Sequence, residues 1–317
     1  MPIEFDIHGL PKIRTVNDLS AHLRISPAFL WGLVRDDYNY QTYEVRKKSG
    51  GIRELSIPIE FLKRVQRWIL RNILEKLKTT ASCFGFSPGS KLRIHAEQHV
   101  GAKEVLTLDI KDFFPSISFA RVVGVFRVAG FAPSGAWLLS RLCTWKEMLP
   151  QGAPTSPLLA NLVCFRLDRR LAGFAKGRGL IYTRYADDMT FSSTSTNQLA
   201  KARRFVTHIV RDCGFELNET KTRLAGPRRS KVVTGLVLNP TGVGIGRLRL
   251  RELRAAIYLL HIEPAESADL QKQLIRLQGL LDFVSDVDLQ RYQILVNYIL
   301  RLKSSTASPL AVLRLRA

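Results

Sequence analysis

The sequence predicts an α+β core, an antiparallel sheet backed by helices, and three stretches carry that expectation. "VLTLDI" (105–110) is a short apolar run of strand composition. "GLIYTRYADDMTFS" is two β-rich runs meeting at Asp187-Asp188, hence a hairpin with the acids at or near its tip. "EFLKRVQRWILRNILEKLK" (60–78) repeats its apolar residues at the helical period. Strand, helix, hairpin, helix and strand in that order suit a sheet with helices packed on it.

Each element has a local reason. In 60–78, Phe61, Val65, Trp68, Ile69 and Ile73 make the apolar stripe, and Lys63, Arg67 and Arg71 make a basic row. The run 105–110 reads as a buried strand ending at Asp109. In "TSPLLANLVCFRLDRRL", Ser156 is the expected N-cap and Pro157 suits the first helical position. Residues 197–213 read as a helix stopped by Gly214, and "GFELN" as a short strand. "KVVTGLVLNPTGVGIG" reads as a second hairpin turning at Asn239-Pro240-Thr241-Gly242. From 247 onward the pattern is helical, with Leu250, Leu253, Ile257 and Leu260 on one face.

A chain of 317 residues can bury a sizeable core and suits two or three subdomains. No apolar run approaches the roughly 18 residues a membrane helix needs, so no membrane partner is expected. "MPIEFDIHGLPK" lacks the apolar centre of a signal peptide. Cys83, Cys143, Cys164 and Cys213 are scattered without CxxC spacing, as in a reduced cytosolic protein.

Charge is the strongest bulk signal. With 48 Lys+Arg against 27 Asp+Glu, the net charge is +21. That excess favours a polyanionic partner, most simply nucleic acid bound through phosphate. The basic residues are spread along the chain, so they line a surface of the whole fold rather than form a tail.

The acids stand out against this background. Asp109 ends one strand, and Asp187-Asp188 sit on a hairpin that could lie beside it. Three carboxylates that close would raise one another's pKa unless cations neutralise them. Hard oxygen ligands suit Mg²⁺, which binds through a few carboxylates plus substrate phosphates. Two such ions can activate an attacking hydroxyl and stabilise a leaving pyrophosphate, which is nucleotidyl transfer. An isolated Asp-Asp pair is more often an exposed turn; the neighbouring stretches point the other way.

Those stretches resemble the reverse transcriptases. "YADD" (185–188) looks like the family's catalytic box. "LTLDIKDFFPSI" (106–117) resembles its first-aspartate motif, "LPQGAPTSPLLANLV" (149–163) the motif with the nucleotide-contacting Gln-Gly, and "GFELNETKT" (214–222) the motif with a lysine. All four occur in the family's order. Two further features resemble the bacterial retron subfamily: "VTGL" (233–236), and "HAEQH" (95–99), which has His95 where the subfamily has Asn. His at i and i+4 could also chelate zinc, but Ala96 stands where a zinc protease has Glu and no third ligand is near.

The resemblance implies a right-hand polymerase with fingers, an RNA-recognition-like antiparallel palm and a helical thumb. The N-terminal helical segment and fingers would span 1–104, the palm 105–246 with 115–150 partly associated with the fingers, and the thumb 247–317. Asp109, Asp187 and Asp188 would hold two Mg²⁺, with the Ile110 carbonyl a further ligand. Lys221 would protonate pyrophosphate or neutralise it. Phe114 would gate against a ribose 2′-OH, with Phe113 in the core. Gln151 and Gly152 would contact the incoming dNTP, and Lys48 and Arg53, on a basic hairpin around Gly50-Gly51, would close on its triphosphate. RNA would meet Lys63, Arg67, Arg71, His99, Val233, Thr234, Gly235, Arg247, Arg251, Arg254 and Tyr258.

The implied enzyme is an RNA-directed DNA polymerase of the bacterial cytoplasm. It would copy its own structured noncoding RNA, primed from a 2′-OH, into multicopy single-stranded DNA. Its partners would be that RNA, the DNA product, dNTPs and an effector protein of an anti-phage system. Two alternatives stay open here: a group II intron-like or other bacterial reverse transcriptase priming from a 3′-OH, and a catalytically silent RNA-binding protein on the same scaffold.

Overall fold

The computed structural model describes residues 9–315 except 36, 47–49, 87–90, 241, 263–266 and 304–308. In chain order, α1 (Val16–Leu23) and α2 (Pro27–Arg35) precede the hairpin of β1 (Tyr40–Arg46) and β2 (Ile52–Pro58). Then come α3 (Glu60–Asn72), α4 (Leu92–Glu97) and β3 (Glu104–Asp109). The helices α5 (Phe119–Val128), α6 (Pro133–Cys143), α7 (Ser156–Val163) and α8 (Phe165–Lys176) lead to β4 (Ile181–Tyr185) and β5 (Asp188–Ser193). After α9 (Gln198–Asp212) and β6 (Arg223–Ala225) come the short strands β7 (Val232–Val233), β8 (Leu236–Asn239) and β9 (Gly242–Gly244). The last helices are α10 (Gly246–Ile262), α11 (Ser267–Val287) and α12 (Leu289–Lys303).

Two compact units result. One comprises Met1–Ser90, Leu106–Phe191 and Gln198–Arg223; the other comprises Lys91–Val105, Ser192–Asn197 and Leu224–Ala317. One sheet is ordered β4-β5-β3-β6, with β3 an inner strand whose residues from Leu106 onward belong to the first unit. Its near-continuous apolar run follows from that place: Leu106, Leu108 and Ile110 are all buried, in one core with Phe126, Leu139, Leu159 and Phe191.

Several expected boundaries shift. α3 ends at Asn72 rather than 78 and continues as a 3₁₀ turn at Leu74–Lys76. Ile73, with ψ −65 at φ −124, breaks the helix so that Ile73, Leu74 and Leu77 can all be buried. Phe61 is 57% exposed; the buried stripe is Leu62, Val65, Gln66 and Ile69. α7 begins at Ser156, with Thr155 rather than Ser156 in the N-cap position and no side-chain hydrogen bond closing the cap. "GFELN" is not a strand. It makes a single bridge, Leu217 to Ile110, and the fourth strand of the sheet is Arg223–Ala225.

The second unit contains the meander β7-β8-β9 and the C-terminal helices. Val233 pairs with Leu236 across a two-residue turn, Thr234 at φ 46 and Gly235 at φ 81, the conformation that tight hairpins favour. At the expected later turn Asn239 pairs with Gly242, and Thr241 lies outside the described residues. α10 buries Leu253, Ile257 and Leu260 as its period requires, against Leu281, Val284, Leu295 and Ile299. Among the described residues no helix is long and apolar enough to cross a membrane.

Candidate active site

The hairpin β4-β5 carries the acids in its tight connection. Ala186 and Asp187 form the loop, with Ala186 in the left-handed region at φ 57, and Asp188 opens β5. Asp109 ends the neighbouring strand β3, and the Ile110 N–H donates to the Asp187 carbonyl at 3.0 Å. The end of one inner strand thus meets the tip of the hairpin beside it. The same point is tied on its other side, where the Asn218 N–H donates to the Asp109 carbonyl at 2.8 Å.

Lys221 follows directly from that tie. Its Nζ donates to Asp109 Oδ2 at 2.8 Å, and this hydrogen bond raises the lysine's pKa above its ordinary value. The carboxyls of the hairpin move the other way from ordinary carboxylates. Asp187 is pushed up by burial and by the charge of Asp109. Asp188, although exposed as a residue, is pushed up to about 6, first by desolvation of its carboxyl and then by Asp187 and Asp109. Arg53 and Lys221 pull Asp187 back down by their charge, which puts Arg53 within the field of the site.

Among the described residues no three His, Cys, Asp or Glu side chains form a ready cage for an ion. The donor set nonetheless fits a hard cation. Three carboxylates strain against one another's charge, and one already holds an ammonium. Mg²⁺ characteristically binds through a few carboxylates and substrate phosphates rather than through an all-protein cage.

The other expected residues of the first unit lie on β2, on α3 and in the segments 113–114 and 151–152. Gln151 and Gly152 lie against β2, where the Ser56 N–H donates to the Gln151 carbonyl at 2.8 Å. Gly152 has φ +134, and a Cβ there would sit 2.9 Å from the Ser56 carbonyl oxygen. Only glycine fits both conditions. Phe113 is buried in the core, whereas Phe114 is only partly buried and touches Phe86 with ring centroids 6.4 Å apart. Arg53 is exposed on β2, and Lys48 lies outside the described residues. Arg67 and Arg71 are exposed on α3 and Lys63 is half-buried; Arg67 lies 3.4 Å from Glu60.

In the second unit, two expected RNA contacts are corrected. His99 is fully buried, with Nδ1 2.7 Å from Ser192 Oγ, and burial holds its pKa down to about 3, so it is a neutral packing residue. Val233 is likewise fully buried. A histidine near a helix end and a valine beside a turn read as surface groups until the core they enter is known. Neighbouring His95 is also buried, with Nδ1 3.3 Å from Thr234 Oγ1, so "HAEQH" and "VTGL" meet in this unit. Thr234 is half-buried, and Gly235, Arg247, Arg251, Arg254 and Tyr258 are exposed. Arg254 lies over the Tyr298 ring at 4.8 Å.

Further residues support the acids from beneath the turn. Arg184 is completely buried in β4 and joined to Asp168, Asn161 and the Ala186 carbonyl. Phe86, at φ 58, lies against both Phe114 and Tyr185. An arginine inside a β-rich run is the sequence signal for the first; nothing local marks the second.

With this geometry in view, the comparisons are consistent with one another. Residues 45–237 match the family described as reverse transcriptase (RNA-dependent DNA polymerase). Retron Ec86 reverse transcriptase of Escherichia coli is 41% identical over 298 residues, covering 93% of this chain and 91% of that protein. Retron Mx65 reverse transcriptase of Myxococcus xanthus is 40% identical over 300 residues, covering 87% and 69%. Among solved structures, apo telomerase from Candida tropicalis shares the fold at TM-score 0.50 and 12% identity, covering 83% of this chain and 56% of that one. An acid-bearing hairpin beside the Asp109 strand end, the four motifs in order and a 41% identical relative matched almost end to end leave one assignment: the chain belongs to the retron reverse transcriptases and is an RNA-directed DNA polymerase.

Proposed function

We propose that this polymerase copies one structured noncoding RNA of its own into multicopy single-stranded DNA, starting from a 2′-OH of that RNA. The observation that carries the catalytic part is the meeting of Asp109, Asp187 and Asp188, with Lys221 held on Asp109. Identity above 40% to a retron enzyme over nearly the whole chain supports the choice of template.

Polymerases of this family depend on divalent metal ions; our reading is two Mg²⁺ held by the three aspartates and the Ile110 carbonyl. Bound there, the ions would activate the attacking hydroxyl and neutralise charge on the leaving pyrophosphate. The chain's own residues do the rest. Gln151 and Gly152, fixed against β2, receive the incoming dNTP, and Arg53 with Lys48 closes on its phosphates. Phe114 stands under the sugar and excludes a 2′-OH. The Lys221 ammonium, poised on Asp109, neutralises or protonates the departing pyrophosphate. Arg247, Arg251, Arg254, Tyr258, Gly235 and Thr234 form the RNA-facing part of the second unit, with Lys63, Arg67 and Arg71 in the first. Work in the bacterial cytoplasm with an effector protein of an anti-phage system completes the reading.

The test is to express the native locus, recover the nucleic acid that co-purifies, and treat it with a debranching enzyme. A 2′,5′-linked RNA–DNA product that is absent with Asp187→Asn supports the reading. An unbranched cDNA carrying a 3′,5′ junction would favour 3′-OH priming, and RNA without any DNA would favour a silent RNA-binding protein.

A further inference from the structure

Directly beneath the acid-bearing turn lies a network centred on two fully buried charges. The Arg184 side chain is fully buried, and so is Asp168. The guanidinium grips Asp168 with two teeth, Nε to Oδ1 at 2.7 Å and Nη2 to Oδ2 at 2.7 Å. Its remaining nitrogen, Nη1, donates to the Ala186 carbonyl at 2.9 Å and to Asn161 Oδ1 at 3.0 Å. Asn161 Nδ2 in turn donates to the Gly85 carbonyl at 2.6 Å. Tyr182 and Thr80 hydroxyls supply Asp168 with two further donors.

Gly85 closes the network from the other side. The segment Ser82–Phe84 pairs with β4 through Arg184 N–H to the Ser82 carbonyl at 2.7 Å and Phe84 N–H to the Arg184 carbonyl at 2.8 Å. That pairing presses Gly85 on the turn so closely that a Cβ would lie 2.6 Å from the Ala186 nitrogen. Ala186 is therefore held at its carbonyl by Arg184 and walled at its nitrogen by Gly85. This is the residue at φ 57, a conformation that costs a side-chain-bearing residue on the order of 1–2 kcal/mol and persists only when its surroundings impose it.

A buried ion pair is a weak source of net stability, because desolvation offsets most of the attraction. It is a strong source of geometry, since a planar fork held by a bidentate carboxylate cannot swing. We propose that Arg184 is a positioning residue: through the Ala186 carbonyl it fixes the left-handed turn that aims Asp187 and Asp188, and so sets how tightly the aspartates hold divalent metal. The proposal rests on the reading of those aspartates as metal ligands.

The test uses Mn²⁺ as probe, titrated into the full-length protein without nucleotide and followed by electron paramagnetic resonance. Asp187→Asn comes first. If the wild type binds no Mn²⁺ that this variant loses, the metal reading itself fails. Given a site, Gly85→Ala and Arg184→Lys are compared with wild type. Gly85→Ala disturbs the turn without unpairing a charge, and Arg184→Lys keeps the charge opposite Asp168 but cannot also reach Ala186. Each should weaken Mn²⁺ binding by about 10- to 100-fold, the usual loss when an outer support of a metal ligand is removed. RNA binding should stay within twofold. If Arg184→Lys does not fold, Gly85→Ala decides alone. A folded Gly85→Ala protein with wild-type Mn²⁺ affinity overturns the proposal, as does a loss of RNA affinity equal to the loss of metal affinity, which would mark a general structural role.

Discussion

Replacing Gly152 with alanine should damage both the fold and the reaction, and the structure sets the scale. At φ +134 the backbone is in territory that side-chain-bearing residues avoid, at a cost of about 1–3 kcal/mol. The new Cβ would also stand 2.9 Å from the Ser56 oxygen, closer than real Cβ atoms approach, and 3.3 Å from its carbon, a tight contact. Either β2 or the 151–152 loop must move, and the Ser56-to-Gln151 hydrogen bond at 2.8 Å couples the two. On stability alone, 1–3 kcal/mol predicts a fall in Tm of about 1.5–4.5 °C, at roughly 1.5 °C per kcal/mol for 317 residues with an unfolding entropy of about 2.1 cal/mol/K each. On activity, a displacement near 1 Å in a nucleotide-positioning group predicts a loss in kcat/KM for dNTP on the order of 10²-fold. Gly173 is the internal control. It lies inside α8 with open space around its Cα, so Gly173→Ala should raise stability by about 0.5–1 kcal/mol and leave kcat/KM alone. Thermal denaturation and single-nucleotide extension on a primed template measure both. If Gly152→Ala keeps the wild-type Tm and kcat/KM while Gly173→Ala behaves as stated, Gly152 is not held by the contact with Ser56 and the positioning argument is wrong.

The charge strain among the acids predicts a pH effect of definite sign. Asp188 has its folded-state pKa raised from the ordinary 3.8 to about 6, so the fold favours its protonated form, and the stability that form provides is lost as pH rises through that window. The Tm of wild type minus that of Asp188→Asn should therefore fall between pH 4 and 6 without divalent metal, and adding Mn²⁺ at pH 7 should recover it; a flat difference refutes the coupling. Phe114→Val should raise the rNTP/dNTP ratio of kcat/KM, and an unchanged ratio would make Phe114 a packing residue. Reversing the charge of Arg251 and Arg254 should lower the salt slope of RNA binding by about one unit per arginine, and it should impair initiation on the cognate RNA more than extension of a generic primer. Equal losses in the two assays would mark a nonspecific clamp.

Much of the fold and of the site was legible in the sequence, because the relevant signals are local. An inner strand declares itself by a near-continuous apolar run, as at 105–108, and a tight hairpin by two β-rich runs with a short polar break, as at Tyr185–Asp188. The helix face Leu253–Ile257–Leu260 follows from its period alone. Identities within short motifs, in order along the chain, marked Asp109, Asp187, Asp188 and Lys221 before any distance was known. What the tertiary structure alone decided are matters of remote partners. Phe61 and Leu62 both fit a plausible apolar stripe, and only packing chose Leu62. His99 read as a group for RNA, yet it is enclosed and bonded to Ser192. Arg184 counted among the 48 basic residues expected to face a polyanion, but it is fully buried with Asp168. The physical reason is the same in each case. Burying a polar or charged group is tolerable only when a partner satisfies it, and that partner comes from another element of the fold, where no local pattern can announce it.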